Sequence, residues 1–491
     1  MRSYLVRVIG ALQGVEGFLR RWGGLVLLVF AVVYYALYWD AAIWTTGEGG
    51  SNVIIAQRMN EGWRPFKDMF IGYNVLWFLP LSWIYKVAGV NFALTQVFFF
   101  GLAVVTAWFG WRLVRELTPW AWLAALAAGF MVLMPGKPFR NWMGFVAVIS
   151  AYAIVKALVV DYPKWWQRVF WMGFAGGVLS LCFLIRVEPM LIVSAVFLGA
   201  VAIFLIFGEG WPRERVLSLG MGGAAFVGMF FLVHWPFLVA ADKGGYGQEF
   251  RDQYRLGLQM ILWELREEVK KWTKGTGKVG GGGEVVCLGS FLGDSEGLMA
   301  SLKEASYFGN RLILQAEDLP SAERYRSERR KLPPLGEVFR WQGAKFFTLA
   351  LYFPLVSVGV LVFFGCVGFL KGVFCSEGEL RRSSFGLLVT TGCSLSLFPQ
   401  YFFFRPDSVH LAEFLVPYYG ACAAGIWVAF SLGKGRGANL WSFLAIIVLV
   451  MQYVVAFNGL YGREGSGSIR LARRRTEEFR GENGVRVRLT K

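Results

Sequence analysis

Apolar runs of nearly the length that crosses a bilayer recur from one end of the chain to the other, and no other feature restricts the fold as much. Runs at 25–38, 97–110, 191–207, 346–370 and 442–457 approach the roughly 20 residues that cross about 30 Å of hydrocarbon. Lipid offers backbone amides no partner, so such runs must close their hydrogen bonds internally as helices. The 491 residues are 56% hydrophobic and 17% aromatic, with a mean hydropathy of +0.49, which a soluble domain with a polar surface could hardly reach. The expected fold class is an all-α polytopic membrane protein.

The pattern predicts about eleven transmembrane helices. They lie near 22–39, 92–111, 119–135, 143–160, 167–186, 189–208, 216–239, 346–371, 384–403, 411–432 and 439–458. Residues 73–89, "YNVLWFLPLSWIYKVAG", decide the topology. If they cross fully, Arg112, Arg115, Arg213, Arg215, Arg381 and Arg382 fall outside, against the usual cytoplasmic bias of lysine and arginine. If they form an interfacial or re-entrant helix, these residues join Arg20, Arg21, Lys164, Arg168, Lys434 and Arg436 in the cytoplasm. Asn74, Pro80 and the aromatics Tyr73, Trp77, Trp83 and Tyr85 favour the second version.

The chain then divides into a cytoplasmic N-terminus (1–21), an N-terminal transmembrane module (22–240) with a first outer loop (40–91), an extramembrane loop subdomain (241–345), a C-terminal transmembrane module (346–459) and a basic polar tail (460–491). The loop subdomain predicts a helix over 248–272, a Gly-rich hinge at "KGTGKVGGGGE" and a second helical stretch over 298–311. "GGGG" lacks the lysine and hydroxyl of a phosphate loop. The tail carries nine basic and four acidic residues from Gly462 on and reads as disordered.

The net charge of +17 is spread through short loops instead of forming a stripe, which fits positive-inside topology and anionic lipid and gives no nucleic-acid footprint. Six cysteines show neither CxxC nor other metal-ligand spacing and read as small apolar core residues. Arg20 and Arg21 ahead of an apolar run, without a small-residue cleavage site, read as an uncleaved signal anchor.

Charge at span ends is where chemistry is expected, because ionisable groups at membrane depth are costly. Glu48 stands between glycines in "TGEGGSN", either as a substrate-facing carboxylate or as a turn acid capping a helix that starts near Ser51. In "EGWRPFKDMFIGYN", Pro65 holds Arg64 extended, and Lys67 and Asp68 arrive at headgroup level, as a phosphate ligand with its orienting acid or as interfacial anchors. Lys137 and Arg140 in "PGKPFRNW" lie outside against the charge bias, as anion ligands or anchors. In "FFFRPDSVHLAEFLVP", Asp407 and His410 are spaced to share a helix face, with Arg405 able to fork onto phosphate, or they form a capping pair. Arg186 and Glu188 at another outer span end read as a structural pair.

The order of an N-terminal span, an outer loop with an early acid, "GWRPFKD" and an aromatic, proline-containing helix before "VNFALTQ" resembles the first outer loop of the GT-C glycosyltransferase superfamily. It is most similar to the bacterial relatives of protein O-mannosyltransferases and to the lipid A aminoarabinose transferase. Their acid, helix, "G.PY.D" and "PP" helix have counterparts in Glu48, the helix 52–60, residues 62–68 and residues 73–80. "RPDSVHLAEFLVP" is like the arginine, aspartate and histidine element near the end of many bacterial members. The resemblance implies a GT-C-like enzyme of the bacterial cytoplasmic (inner) membrane that works on the outer face. It would transfer a sugar, with inversion, from a polyprenyl-phosphate donor to a lipid, glycan or protein acceptor. It assigns the catalytic acids to Glu48, as base, and Asp68, and the phosphate and donor contacts to Lys67, Arg64, Arg140, Arg405, Asp407 and His410. It calls for no organic cofactor and leaves a divalent cation open. The chain departs from the pattern in having one glutamate where members carry an acidic pair, and no acid in "KPFRNW".

Three alternatives stay open: an envelope polysaccharide polymerase or ligase, a lipid or sugar transporter, and an accessory subunit without chemistry. A transporter would predict an internal repeat with broken helices facing each other at mid-membrane; the sequence has no clear repeat.

Overall fold

The computed structural model describes residues 2–38, 48–69, 73–133, 141–162, 164–208, 212–252, 254, 345–399, 401–402, 408–433, 439–461, 476–480 and 486–490. Its helices are α1 (Arg2–Tyr38), α2 (Glu48–Asn60), a 3-10 turn (Val75–Trp77), α3 (Leu79–Ala88), α4 (Phe92–Leu117), α5 (Ala121–Leu133), α6 (Asn141–Ile154), α7 (Trp165–Ile185), α8 (Val187–Phe207) and α9 (Pro212–Lys243). After the undescribed stretch come α10 (Lys345–Phe374), α11 (Gly378–Leu395), α12 (Ser408–Leu432) and α13 (Asn439–Tyr461).

Among the described residues, nine helices are long and apolar enough to cross a membrane, carried by α1, α4, α6 with its continuation to Val159, α7, α8, α9, α10, α12 and α13. The chain is a helical, polytopic protein. Two of the expected spans differ from these nine. The helical part of α5 has 13 residues, and α11 opens with Glu379, Arg381 and Arg382 and ends at Leu395, where a turn at 396–397 interrupts the expected 384–403 run. The Ser396 hydroxyl donates to the Cys393 carbonyl at that break.

α3 has 10 residues, a rise of about 15 Å at 1.5 Å per residue, half the hydrocarbon thickness. That is short of a full crossing by the helix alone, which favours the interfacial or re-entrant reading of 73–89. With α3 excluded, the transmembrane helices alternate between two ends. Arg20 and Arg115 meet at one, sharing the Pro119 carbonyl at 3.0 and 3.4 Å. At the other, the Tyr35 hydroxyl reaches the Val132 carbonyl at 3.2 Å, and α2, α3 and the α7–α8 junction gather. These are called the basic end and the loop end below.

α6 and α12 form the centre, with 94% and 89% of their spans buried, against 6% for α9. α9 instead shows Leu217, Phe231, Leu232 and Trp235 to its surroundings, as a lipid-facing helix does. It is held to α7 by close backbone approach: a Cβ on Gly176 would overlap the Phe226 carbonyl, and Gly173 sits against Ala225 and Met229. Helices in lipid lack a hydrophobic drive to associate, so small residues that let backbones touch supply the packing.

Cys182, Cys393 and Cys422 are buried thiols, as expected, whereas Cys366 and Cys375 are exposed and all five are unpaired with one another. In the tail, 476–480 and 486–490 pair as an antiparallel ladder, Thr476 opposite Thr490. The stretch 247–252 is helical; the rest of the expected helix to 272, the Gly-rich hinge and the helix over 298–311 lie outside the described residues.

Candidate functional site

The loop end is built around one aromatic and amide cluster. Asn74 starts it: its backbone N–H donates to the Ile185 carbonyl at 3.1 Å and its Nδ2 to the Phe183 carbonyl at 3.1 Å. These carbonyls end α7 and have no partner within their own helix, so Asn74 both completes α7 and anchors the 3-10 turn. The same side chain caps that turn, accepting from the Val75 N–H at 2.7 Å. Trp77, carried on the turn and 1% exposed, then links three elements. Its Nε1 donates to Asn52 Oδ1 of α2 at 2.9 Å. Its carbonyl accepts from Trp142 Nε1 of α6 at 3.1 Å. Its ring stacks on Tyr73 at 3.8 Å.

The cation of this cluster is Arg186, the single residue between α7 and α8. Its Nε donates to Glu188 Oε2 at 3.1 Å, with 12% of the arginine side chain and 24% of the glutamate exposed. The guanidinium lies over the Tyr73 ring at 5.3 Å, so cation, tyrosine and tryptophan form one stack. Arg186 and Glu188 form the structural pair expected from their position at a span end. What the sequence misses is the stack, which depends on Tyr73 from more than a hundred residues earlier. The legible signal is an arginine at a junction with no loop in "LIRVEPM".

The "GWRPFKDM" segment folds into a clipped loop beside the cluster. Asp68 accepts from the Arg64 backbone N–H and Nε at 2.8 Å each and from Nη2 at 2.9 Å. These charge-assisted bonds, the Arg64 side chain first, hold the Asp68 carboxyl down at about 2. Arg64 Nη1 reaches the Gly244 carbonyl at 3.3 Å, tying the loop to the end of α9. Inside the clip Phe66 adopts φ +65° and is buried against Tyr246 and Phe250. A bulky residue in the left-handed region is strained and persists only where its surroundings over-determine it. Lys67 stays exposed and folds back over Gly245, where a side chain on that glycine would meet its Nζ.

The expected site residues therefore separate into groups. Arg64 and Asp68 are joined to each other, and Lys67 stands next to them. The described part of α2 runs from Glu48, so Glu48 is helical, one turn before the anchored Asn52, and not a turn residue ahead of a helix near Ser51. His410 is buried near the start of α12. Its helix packs on α6, with Val416 where a Cβ on Gly144 would fall, and by the alternation of the helices its start lies at the loop end. Glu413, one turn on, is buried as well at 4% exposure. Sequence analysis passes over it, although a glutamate inside "HLAEFLVP" is the kind of costly intramembrane acid that marks a site. Lys137, Arg140, Arg405, Asp407 and the Glu48 side chain lie outside the described residues. Among the described residues no three His, Cys, Asp or Glu side chains converge as a metal would require.

A second polar set lies behind the clip. His234 of α9 hydrogen-bonds the Ser180 hydroxyl through Nδ1 (3.2 Å) and the Tyr254 hydroxyl through Nε2 (2.8 Å), one ring nitrogen donating and the other accepting, and its ring stacks on Phe230 at 5.4 Å. This locks the end of α9 to α7 and to the start of the loop subdomain.

No known protein family and no curated protein matches the chain.

Proposed function

We propose that the protein is a membrane glycosyltransferase that moves a sugar, with inversion, from a polyprenyl-phosphate donor to a hydroxyl acceptor, with the loop end on the outer face of the bacterial cytoplasmic membrane. The observation that carries this reading is the anchoring of the first loop. Asn52, Trp77 and Trp142 tie the helix that carries Glu48 to the stack holding Arg186, so an acid-bearing helix and a half-buried cation belong to one rigid cluster.

The chemistry asks for those two parts. A carboxylate takes the proton from the acceptor hydroxyl as its oxygen attacks the anomeric carbon. The bond from that carbon to the carrier phosphate breaks, and the phosphate leaves with the electron pair, stabilised by cations. Glu48 is the base. Lys67 and Arg186 are the described cations placed for the phosphate, with Arg140 and Arg405 from the undescribed connections. Asp68 is the orienting acid: with its oxygens taken up by Arg64, it shapes the loop that presents Lys67. His410 and Asp407 belong to the donor-binding side. The segment 241–345 is the cover over the site. The basic end, by the bias of arginine and lysine, faces the cytoplasm.

The test is a release assay with purified chain in nanodiscs and a panel of polyprenyl-phosphate sugars. Glu48→Gln should lower release of polyprenyl phosphate by about 10²–10⁴-fold, the range of general base catalysis, while binding of the donor persists. Unchanged turnover in Glu48→Gln, with activity depending on 241–345 alone, would favour the polymerase or ligase reading. Movement of lipid or sugar across liposomes without transfer would favour a transporter.

A further inference from the structure

The basic end holds a cavity that the proposed reaction does not use. Its volume is about 160 Å³, and it is lined by Arg20 of α1, Arg115 and Glu116 of α4, Thr118, and Glu379 and Arg382 of α11. A single water needs about 10–15 Å³ measured this way, so the space suits a larger group.

Three arginines from three separate helices line this space, against two lining carboxylates, Glu116 and Glu379. Glu116 is held by Lys156 at 3.0 Å. Glu16 pairs with Arg20 at 2.9 Å while also accepting from the Ala121 and Trp122 N–H groups at the start of α5. Arg20 and Arg115 converge on the same Pro119 carbonyl, bringing two like charges together over one neutral acceptor. Arg382 Nε is buried without a hydrogen-bond partner among the described residues. A buried guanidinium N–H left unpaired is costly, and an oxyanion bridging the three arginines would relieve both the repulsion and the orphaned donor.

We propose that this cavity is a phosphate-binding site, at the opposite end of the bundle from the loop-end cluster and independent of it. The phosphate comes either from an anionic lipid headgroup or from solution, and two arms separate the sources. Native mass spectrometry of the detergent-purified full chain compares retention of phosphatidylglycerol with acyl-matched phosphatidylcholine. Titration calorimetry with inorganic phosphate reports the soluble form. We expect retention of phosphatidylglycerol over phosphatidylcholine, or binding of inorganic phosphate, weakened about tenfold in Arg382→Gln by loss of charge-assisted hydrogen bonds. Arg20→Gln, at an exposed position, should weaken it as well and serves if Arg382→Gln does not fold. Arg21→Gln, whose guanidinium lies over the Trp22 ring at 5.4 Å, should leave it unchanged. Binding of neither probe, or equal weakening by Arg21→Gln and the two cavity variants, would overturn the proposal.

Discussion

Asp68 shows how a residue's role changes once its neighbours are known. As sequence, an aspartate after a lysine at a span end is a second candidate acid. In the fold it takes three N–H donors from Arg64 and is held ionised to about pH 2. The sign follows from that depression. The ordinary aspartate value of about 3.9 belongs to the unfolded chain, so the clip's contribution is fully present above it and is lost as pH falls towards about 2. A carboxyl so depressed is a weak base, which is why Glu48 carries that role in the proposal. Asp68→Asn removes the charge at neutral pH. It should speed tryptic cleavage after Lys67 several-fold; an unchanged rate would mean that Phe66 and its burial, not the ion pair, hold the loop. None of this was legible from the residues alone, since i and i+4 pairing is a helical rule and this pair closes a non-helical loop.

At the scale of elements, the sequence revealed most where a single helix suffices. The long apolar runs form helices near the expected positions, and within 73–89 the helix is only 10 residues long. The sequence failed where the answer depends on another element. Glu48 lies in α2 one turn before Asn52, which is held by Trp77, a contact between residues 25 positions apart that no local pattern encodes. The break after α11 was likewise hidden, because hydropathy measures length of apolar run and not where hydrogen bonding stops. The dock makes its own prediction. Asn52→Ala leaves the buried Trp77 N–H unpaired and should cost about 1–3 kcal/mol, read by thermal unfolding in nanodiscs; Asn52→Asp, which keeps an acceptor, should cost less. No difference between the two would show that α2 is held by other contacts.

For the whole molecule, the parity of the crossings ties the two ends together. With α3 taken as interfacial and α5 as a crossing, Glu61 and Lys86 fall on one side and Lys164 on the other. An impermeant maleimide applied to sealed vesicles should label Glu61→Cys and Lys86→Cys from the same side and Lys164→Cys only from the opposite one, with the unsubstituted chain as the blank. Labelling of Glu61→Cys and Lys86→Cys from opposite sides would mean that 73–89 crosses after all. The arrangement leaves a loop end with an anchored acid-bearing helix and an arginine stack, and a basic end with its own arginine cavity. The central claim concerns the first of these, and the direct measurement is where a donor phosphate sits. A photoreactive polyprenyl phosphate analogue, crosslinked to the purified chain and mapped by mass spectrometry, should label the loop end, in the peptides holding Glu48, Lys67 and Arg186. Crosslinks confined to the basic end, or to the lipid-facing surface of α9, would contradict the account.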